Sequence, residues 1–172
     1  MAVNRGKQFE AQVQKALEKY PEEISVDRIT DPMAGYAGIC NISDFVVYRK
    51  PYQYYLECKS IRGNTLSIFS NNTKNKYGTI TNNQWEGLLN KSKIQGVFAG
   101  VIVWFIEHDT TVYVPIQELE RIRNSGAKSL NVRHLDDVKH YILPAQKKRV
   151  LFDYDVKSLL WYLGERYGQE QQ

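Results

Sequence analysis

Cysteine is scarce in this chain, with Cys40 and Cys58 the only two. Two cysteines cannot form the disulfide framework of a small secreted domain, and neither sits in a cluster with zinc-site spacing. Long apolar runs are also missing. The longest, Val97 to Ile106, falls far short of the ~20 residues a helix needs to cross a bilayer. The opening, Met1-Ala2-Val3-Asn4-Arg5-Gly6-Lys7, has neither the apolar core nor the cleavage pattern of a secretory leader, so the expectation is a soluble, cytoplasmic protein away from membranes. Internal repeats and low-complexity tracts are absent. The one glycine-rich segment, Asp31 to Gly38, carries no Walker or dinucleotide fingerprint; it reads as a plain connection or as a loop able to admit a phosphate.

The remaining composition is that of an ordinary globular chain. Its 172 residues, 42% hydrophobic and 24% charged, suit one domain over 1–172 that closes a core without staples. A net charge of +4 and a pI near 8.9 permit a polyanionic partner without demanding one. Most of the 12 tyrosines are expected to pack half-buried in strands.

Periodicity predicts a helix from Gly6 to Tyr20, with Phe9, Val13, Leu17 and Tyr20 on one face and Pro21 as its stop. Glu10 borders that face, and the pattern leaves open whether it points to solvent or toward whatever the helix packs on. Val46 to Tyr48 and Tyr54 to Leu56 read as strands joined by a turn at Arg49-Lys50-Pro51-Tyr52. A short apolar run at Leu66 to Phe69 precedes a polar loop from Ser70 to Gly78. Thr81 to Lys93 reads as a helix capped by Thr81 or Asn82, with Gln84 in its first turn. Val97 to Ile106 is apolar throughout, as a central strand should be, and Thr111 to Ile116 follows across a turn at His108-Asp109. A short helix is expected from Pro115 to Asn124, closed by Gly126, and a terminal one from Asp155 to Tyr167. Between these two the pattern is faint, and Lys147-Lys148-Arg149 reads as a solvated turn. The order of elements describes an α/β fold, a mixed central β-sheet flanked by helices.

The chemistry concentrates between Asp44 and Lys59. If the two early strands pair, Asp44 and Glu57 converge at a sheet edge. Alternation then puts Lys59 beside Glu57 and turns the Cys58 thiol toward the core. Two carboxylates suit a hard divalent cation, Mg2+ or Mn2+ rather than zinc, and a neighbouring ammonium can orient a water or neutralise charge on a phosphate. Asp44 and Glu57 are the expected direct metal ligands, with the Cys58 backbone carbonyl a candidate third and Glu10 acting through an intervening water. The competing reading is an incidental surface ion pair.

Asp44 followed by Glu57-Cys58-Lys59 resembles the PD-(D/E)xK nuclease superfamily, with Ser43 in place of the proline. Asn4-Arg5-Gly6-Lys7-Gln8-Phe9-Glu10 is similar to the opening of RecU-type Holliday junction resolvases. The order of the later elements and Lys128-Ser129-Leu130 match that family too, so the likeness runs from Asn4 to about Leu130. The resemblance implies a restriction-endonuclease-like fold and a homodimer that binds branched DNA and nicks opposed strands of four-way junctions in recombination and repair. It implies metal-binding roles for Asp44 and Glu57, a catalytic ammonium at Lys59, an accessory acid at Glu10 and a site-lining or phosphate-contacting Gln84. Arg5, Lys7, Lys74 and Lys76 are the candidate contacts to the DNA backbone. One departure is visible: RecU proteins carry a long stalk between the first helix and the aspartate, whereas Pro21 to Ser43 has room for little more than a small loop. A compact phage-type resolvase accommodates that, as does a repair or restriction-like endonuclease on duplex DNA. A non-catalytic DNA-binding module on the same fold is the third reading, and the joint presence of Asp44, Glu57 and Lys59 argues against it.

Overall fold

The computed structural model describes residues 4–29, 41–72, 74–149 and 151–167, with Tyr167 described by its backbone alone. The glycine-rich segment 31–38, Cys40 and the Tyr167 side chain therefore lie outside the described residues. Helix α1 (Arg5–Leu17) leads into strands β1 (Ser25–Arg28), β2 (Phe45–Arg49), β3 (Tyr52–Ile61) and β4 (Thr65–Ser67). Helix α2 (Asn82–Lys91) is followed by β5 (Val97–Phe105), β6 (Thr110–Pro115) and helix α3 (Ile116–Asn124). The chain continues through β7 (Ser129–Asn131), β8 (Tyr141–Ile142), the hairpin β9 (Ala145–Lys148) and β10 (Leu151–Tyr154), and helix α4 (Val156–Tyr167).

Six strands form one mixed sheet in the order β1-β2-β3-β5-β6-β8. Only the β3–β5 pair is parallel, and it joins Gln53 through Ile61 to Val97 through Phe105. Strand β5 is buried along all nine residues, because helices cover the sheet on both sides. On one side α1, α4 and β10 pack Phe9, Val13, Leu17, Leu159, Leu160 and Phe152 against Tyr54, Leu56, Cys58, Ile102 and Trp104. On the other side α2 and α3 pack Trp85, Leu88, Leu119 and Ile122 against Tyr55, Val101, Val103 and Phe105. The expected mixed sheet flanked by helices is therefore the observed architecture.

Helices α1 and α2 begin where side-chain caps dictate, whereas α3 starts after Pro115 with no side-chain cap. Asn4 caps α1 by accepting from the Lys7 N–H at 3.2 Å, and the helix stops at Leu17, three residues before Tyr20. Tyr20 still packs on the core, from the turn beyond the helix. Thr81 caps α2 through a reciprocal pair of bonds with Gln84.

Three regions depart from expectation. The span from Pro21 to Ser43 holds edge strand β1, paired antiparallel with β2, and so is more than a loop. Ser25-Val26-Asp27-Arg28 offers one apolar residue in four, and its mostly exposed edge position leaves no alternation to read. Strand β8 is only two residues long, and β9 is exposed along its whole length, so neither carries a hydrophobic period. The run Leu66 to Phe69 contributes to β4, which pairs with β7 in a separate two-stranded ribbon.

Candidate active site

Strand β3 outruns its neighbour. Strand β2 begins at Phe45, opposite Leu56, so residues 57–61 have β5 on one side and no β2 partner on the other. Asp44 occupies the step. Its N–H donates to the Leu56 carbonyl at 3.1 Å and its own carbonyl accepts from the Ile29 N–H at 2.8 Å. Its side-chain Oδ2 accepts from the Cys58 N–H at 2.7 Å. A carboxylate thus stands where a strand carbonyl would have been, and it is tied to β3. The segment carrying it rests on α2, where a Cβ built on Gly87 would fall 2.2 Å from Ile42 Cγ2. Only glycine at 87 admits so close an approach.

Glu57 and Lys59 lie on the α2 side of the sheet, two residues apart on β3. Lys59 Nζ donates to Glu57 Oε1 at 2.6 Å and to Gln84 Oε1 at 3.3 Å. Gln84 Nε2 donates to the same Glu57 Oε1 at 2.6 Å. Glu57 is 1% exposed, and its second oxygen, Oε2, is buried with no hydrogen-bond partner. Burial pushes the Glu57 carboxyl up to about 7, opposed by the Lys59 ammonium and reinforced by the negative charge of Asp44. Cys58 points the other way into the core. Burial, with Asp44 and Glu57 adding, holds its thiol well above the ordinary range, which disqualifies it as a nucleophile at neutral pH.

A cleft of about 400 Å³ collects these groups. Of the residues singled out in the sequence, it brings together Lys7, Glu10, Asp44, Glu57, Cys58, Lys59 and Gln84. Arg5 does not line it and contacts Gln8. Lys74 and Lys76 do not line it either; Lys76 pairs with Glu86 at 3.3 Å. Arg28, Ile29, Asn41 and Ser43 complete the lining; of these only Ser43 figures in the sequence motif, and none was expected to carry a role. Arg28 matters most chemically, since it donates to Glu10 at 3.2 Å and to Gln14 at 3.1 Å. The signal for it would have been the two-residue spacing from Val26, once β1 was known. Burial raises the Glu10 carboxyl, with Asp44 adding and Arg28 opposing.

Among the described residues, no group of three or more His, Cys, Asp or Glu side chains forms a ready cage for a cation. The donor set nevertheless fits a hard divalent ion. Asp44 and Glu57 offer only oxygen, and Glu57 keeps a buried oxygen without a partner. Magnesium is held by one or two carboxylates while keeping several waters.

No protein-family model matches the chain, and no curated protein is similar to it in sequence. Among solved structures, the chain is similar to Archaeoglobus fulgidus Hjc, a Holliday junction resolvase from an archaeal hyperthermophile. Identity is 17%, the match covers 77% of this chain and 93% of that one, and the TM-score is 0.49.

Proposed function

We propose that this protein is a divalent-metal-dependent endodeoxyribonuclease with a restriction-endonuclease-like fold. One observation carries the reading: Asp44, Glu57, Lys59 and Gln84 meet in a single cleft where β3 runs on beyond the start of β2, and Glu57 keeps a buried oxygen unpartnered there. A structural ion pair needs no second carboxylate beside it. Like charges held together raise each other's proton affinity, and that arrangement finds its use when a cation joins them.

In this reading Asp44 and Glu57 hold Mg2+ or Mn2+, with the Cys58 carbonyl as a third donor and Glu10 acting through a water. When bound, the cation supplies Lewis-acid polarisation of the phosphate and an acidified water. The chain supplies the rest. Lys59, anchored on Glu57 and Gln84, orients the attacking water or neutralises charge growing on the phosphate. Gln84 holds Glu57 in place. Lys7 and Arg28, on the cleft wall, receive the DNA backbone, and Arg28 also steadies Glu10.

The finer reading rests on the sequence likeness to RecU-type resolvases: a homodimer that takes four-way junctions and nicks opposed strands. Its test is a comparison of synthetic junction, linear duplex and single strand, each with Mg2+ and with chelator. Paired nicks confined to the junction, and lost in chelator, are expected. Cleavage of linear duplex instead would assign a repair or restriction-like substrate. Lys59→Ala should lower cutting by about 100-fold or more while leaving junction affinity nearly intact. Asp44→Asn should weaken the response to Mg2+ as well. Wild-type cutting by either variant would overturn the site.

A further inference from the structure

We propose that Thr81 is a positioning residue of this site: its backbone N–H determines which end of the Gln84 carboxamide meets Glu57. The consequence for catalysis rests on the nuclease reading, whereas the orientation itself does not. Gln84 is the third residue of α2 and shares a reciprocal cap with Thr81. Thr81 Oγ1 accepts from the Gln84 N–H at 3.3 Å, and Gln84 Oε1 accepts from the Thr81 N–H at 3.1 Å.

The polarity follows from what each neighbour can do. A backbone N–H only donates, and so does a lysine ammonium. Both face the same end of Gln84, Thr81 at 3.1 Å and Lys59 at 3.3 Å. The carboxamide oxygen therefore lies on that side, and the NH2 is left facing Glu57 Oε1 at 2.6 Å. A flipped amide would set NH2 against two donors and oxygen against a carboxylate. A bond made to cap a helix thus fixes the direction of a bond in the cleft. The cap alone would accept glutamate as readily as glutamine. The carboxamide accepts hydrogen bonds from Thr81 and Lys59 and still donates one to Glu57, which a carboxylate cannot do, so Gln84 answers a demand of the cleft beyond that of the helix.

Three variants separate the two demands. Gln84→Glu keeps the capping acceptor and removes the donor to Glu57. Thr81→Ala and Thr81→Pro both remove the hydroxyl, but only proline removes the N–H. The φ of −68° at Thr81 lies within the range of the proline ring. Thermal melting, single-turnover nicking at saturating junction with Mg2+, and the side-chain NH2 resonances of Gln84 are the readouts. Gln84→Glu sets a carboxylate against buried Glu57 and should melt below the parent, so its nicking is measured at a temperature where melting shows it folded. Its rate constant should fall about tenfold or more with junction affinity unchanged. Thr81→Pro is expected to nick about fivefold or more slowly than Thr81→Ala, with the Gln84 NH2 pair losing exchange protection in the proline variant alone. Equal rates and equal protection in the two Thr81 variants overturn the proposal, as does parental nicking by Gln84→Glu. If Thr81→Pro does not fold, Gln84→Glu decides. If the parent nicks no DNA, the nuclease reading fails by itself, and the Gln84 resonances in the two Thr81 variants still support or overturn the orientation.

Discussion

Glu57 gives the protein a pH signature of its own. In the unfolded chain its carboxyl titrates near 4.5, and in the folded cation-free chain near 7. Below the lower value it is neutral in both states and folding bears no penalty. Between the two values the unfolded chain releases its proton while the folded chain keeps it, so stability falls by roughly 3 kcal/mol at most and levels off above the upper value. Denaturant midpoints measured in chelator should therefore fall from pH 5 to pH 8.5, and Glu57→Gln should flatten the trend. Mg2+ at the higher pH should restore the midpoint. A flat parental profile would mean that Glu57 is better solvated than its burial indicates. At this scale the sequence was informative wherever alternation applied. The two-residue spacing of Glu57 and Lys59, with Cys58 turned inward, follows from strand geometry alone. The junction of Arg28 with Glu10 does not, because it links a strand without a pattern to a helix some eighteen positions away.

Among the elements, the contact of α2 with the segment before β2 decides where Asp44 stands. Gly87→Ala would drive a methyl group into Ile42, and overpacking of this kind costs about 1–3 kcal/mol. Because Ile42 lies two residues before Asp44, the displacement should reach the carboxylate and reduce nicking more than it reduces melting temperature. Adding Ile42→Ala to Gly87→Ala should recover part of both losses. Failure of the double variant to recover either would show that the approach of this segment to the helix has no bearing on the cleft. The elements that could be read from the sequence were those with a strong period, a clear cap or a β-rich run: α1, β2, β3, α2, β5, β6, α3 and α4. Strands β1, β8 and β9 escaped because they are short or exposed at the margins. Such strands are recruited by the ladder they complete, and that information lies in β2, β6 and β10 rather than in their own residues.

For the whole molecule, the central feature is a sheet with a separate apolar core on each face. Glu10 reaches the cleft from the helix on one face and Gln84 from the helix on the other, while Asp44, Glu57 and Lys59 belong to the sheet between them. The sequence could indicate that helices flank a sheet. It could not indicate that two of them, on opposite faces, overhang the same rim, since that depends on the offset of β2 against β3.

That overhang makes the cleft behave like a vernier, in which small slippage between three stacked layers is read out as misalignment at one mark. Either outer layer can creep by a fraction of an ångström without unfolding anything, yet the groups it carries then miss their partners. On warming, nicking should therefore collapse several degrees before helix signal is lost in circular dichroism. Activity and ellipticity fading together would mean that the three layers move as one block.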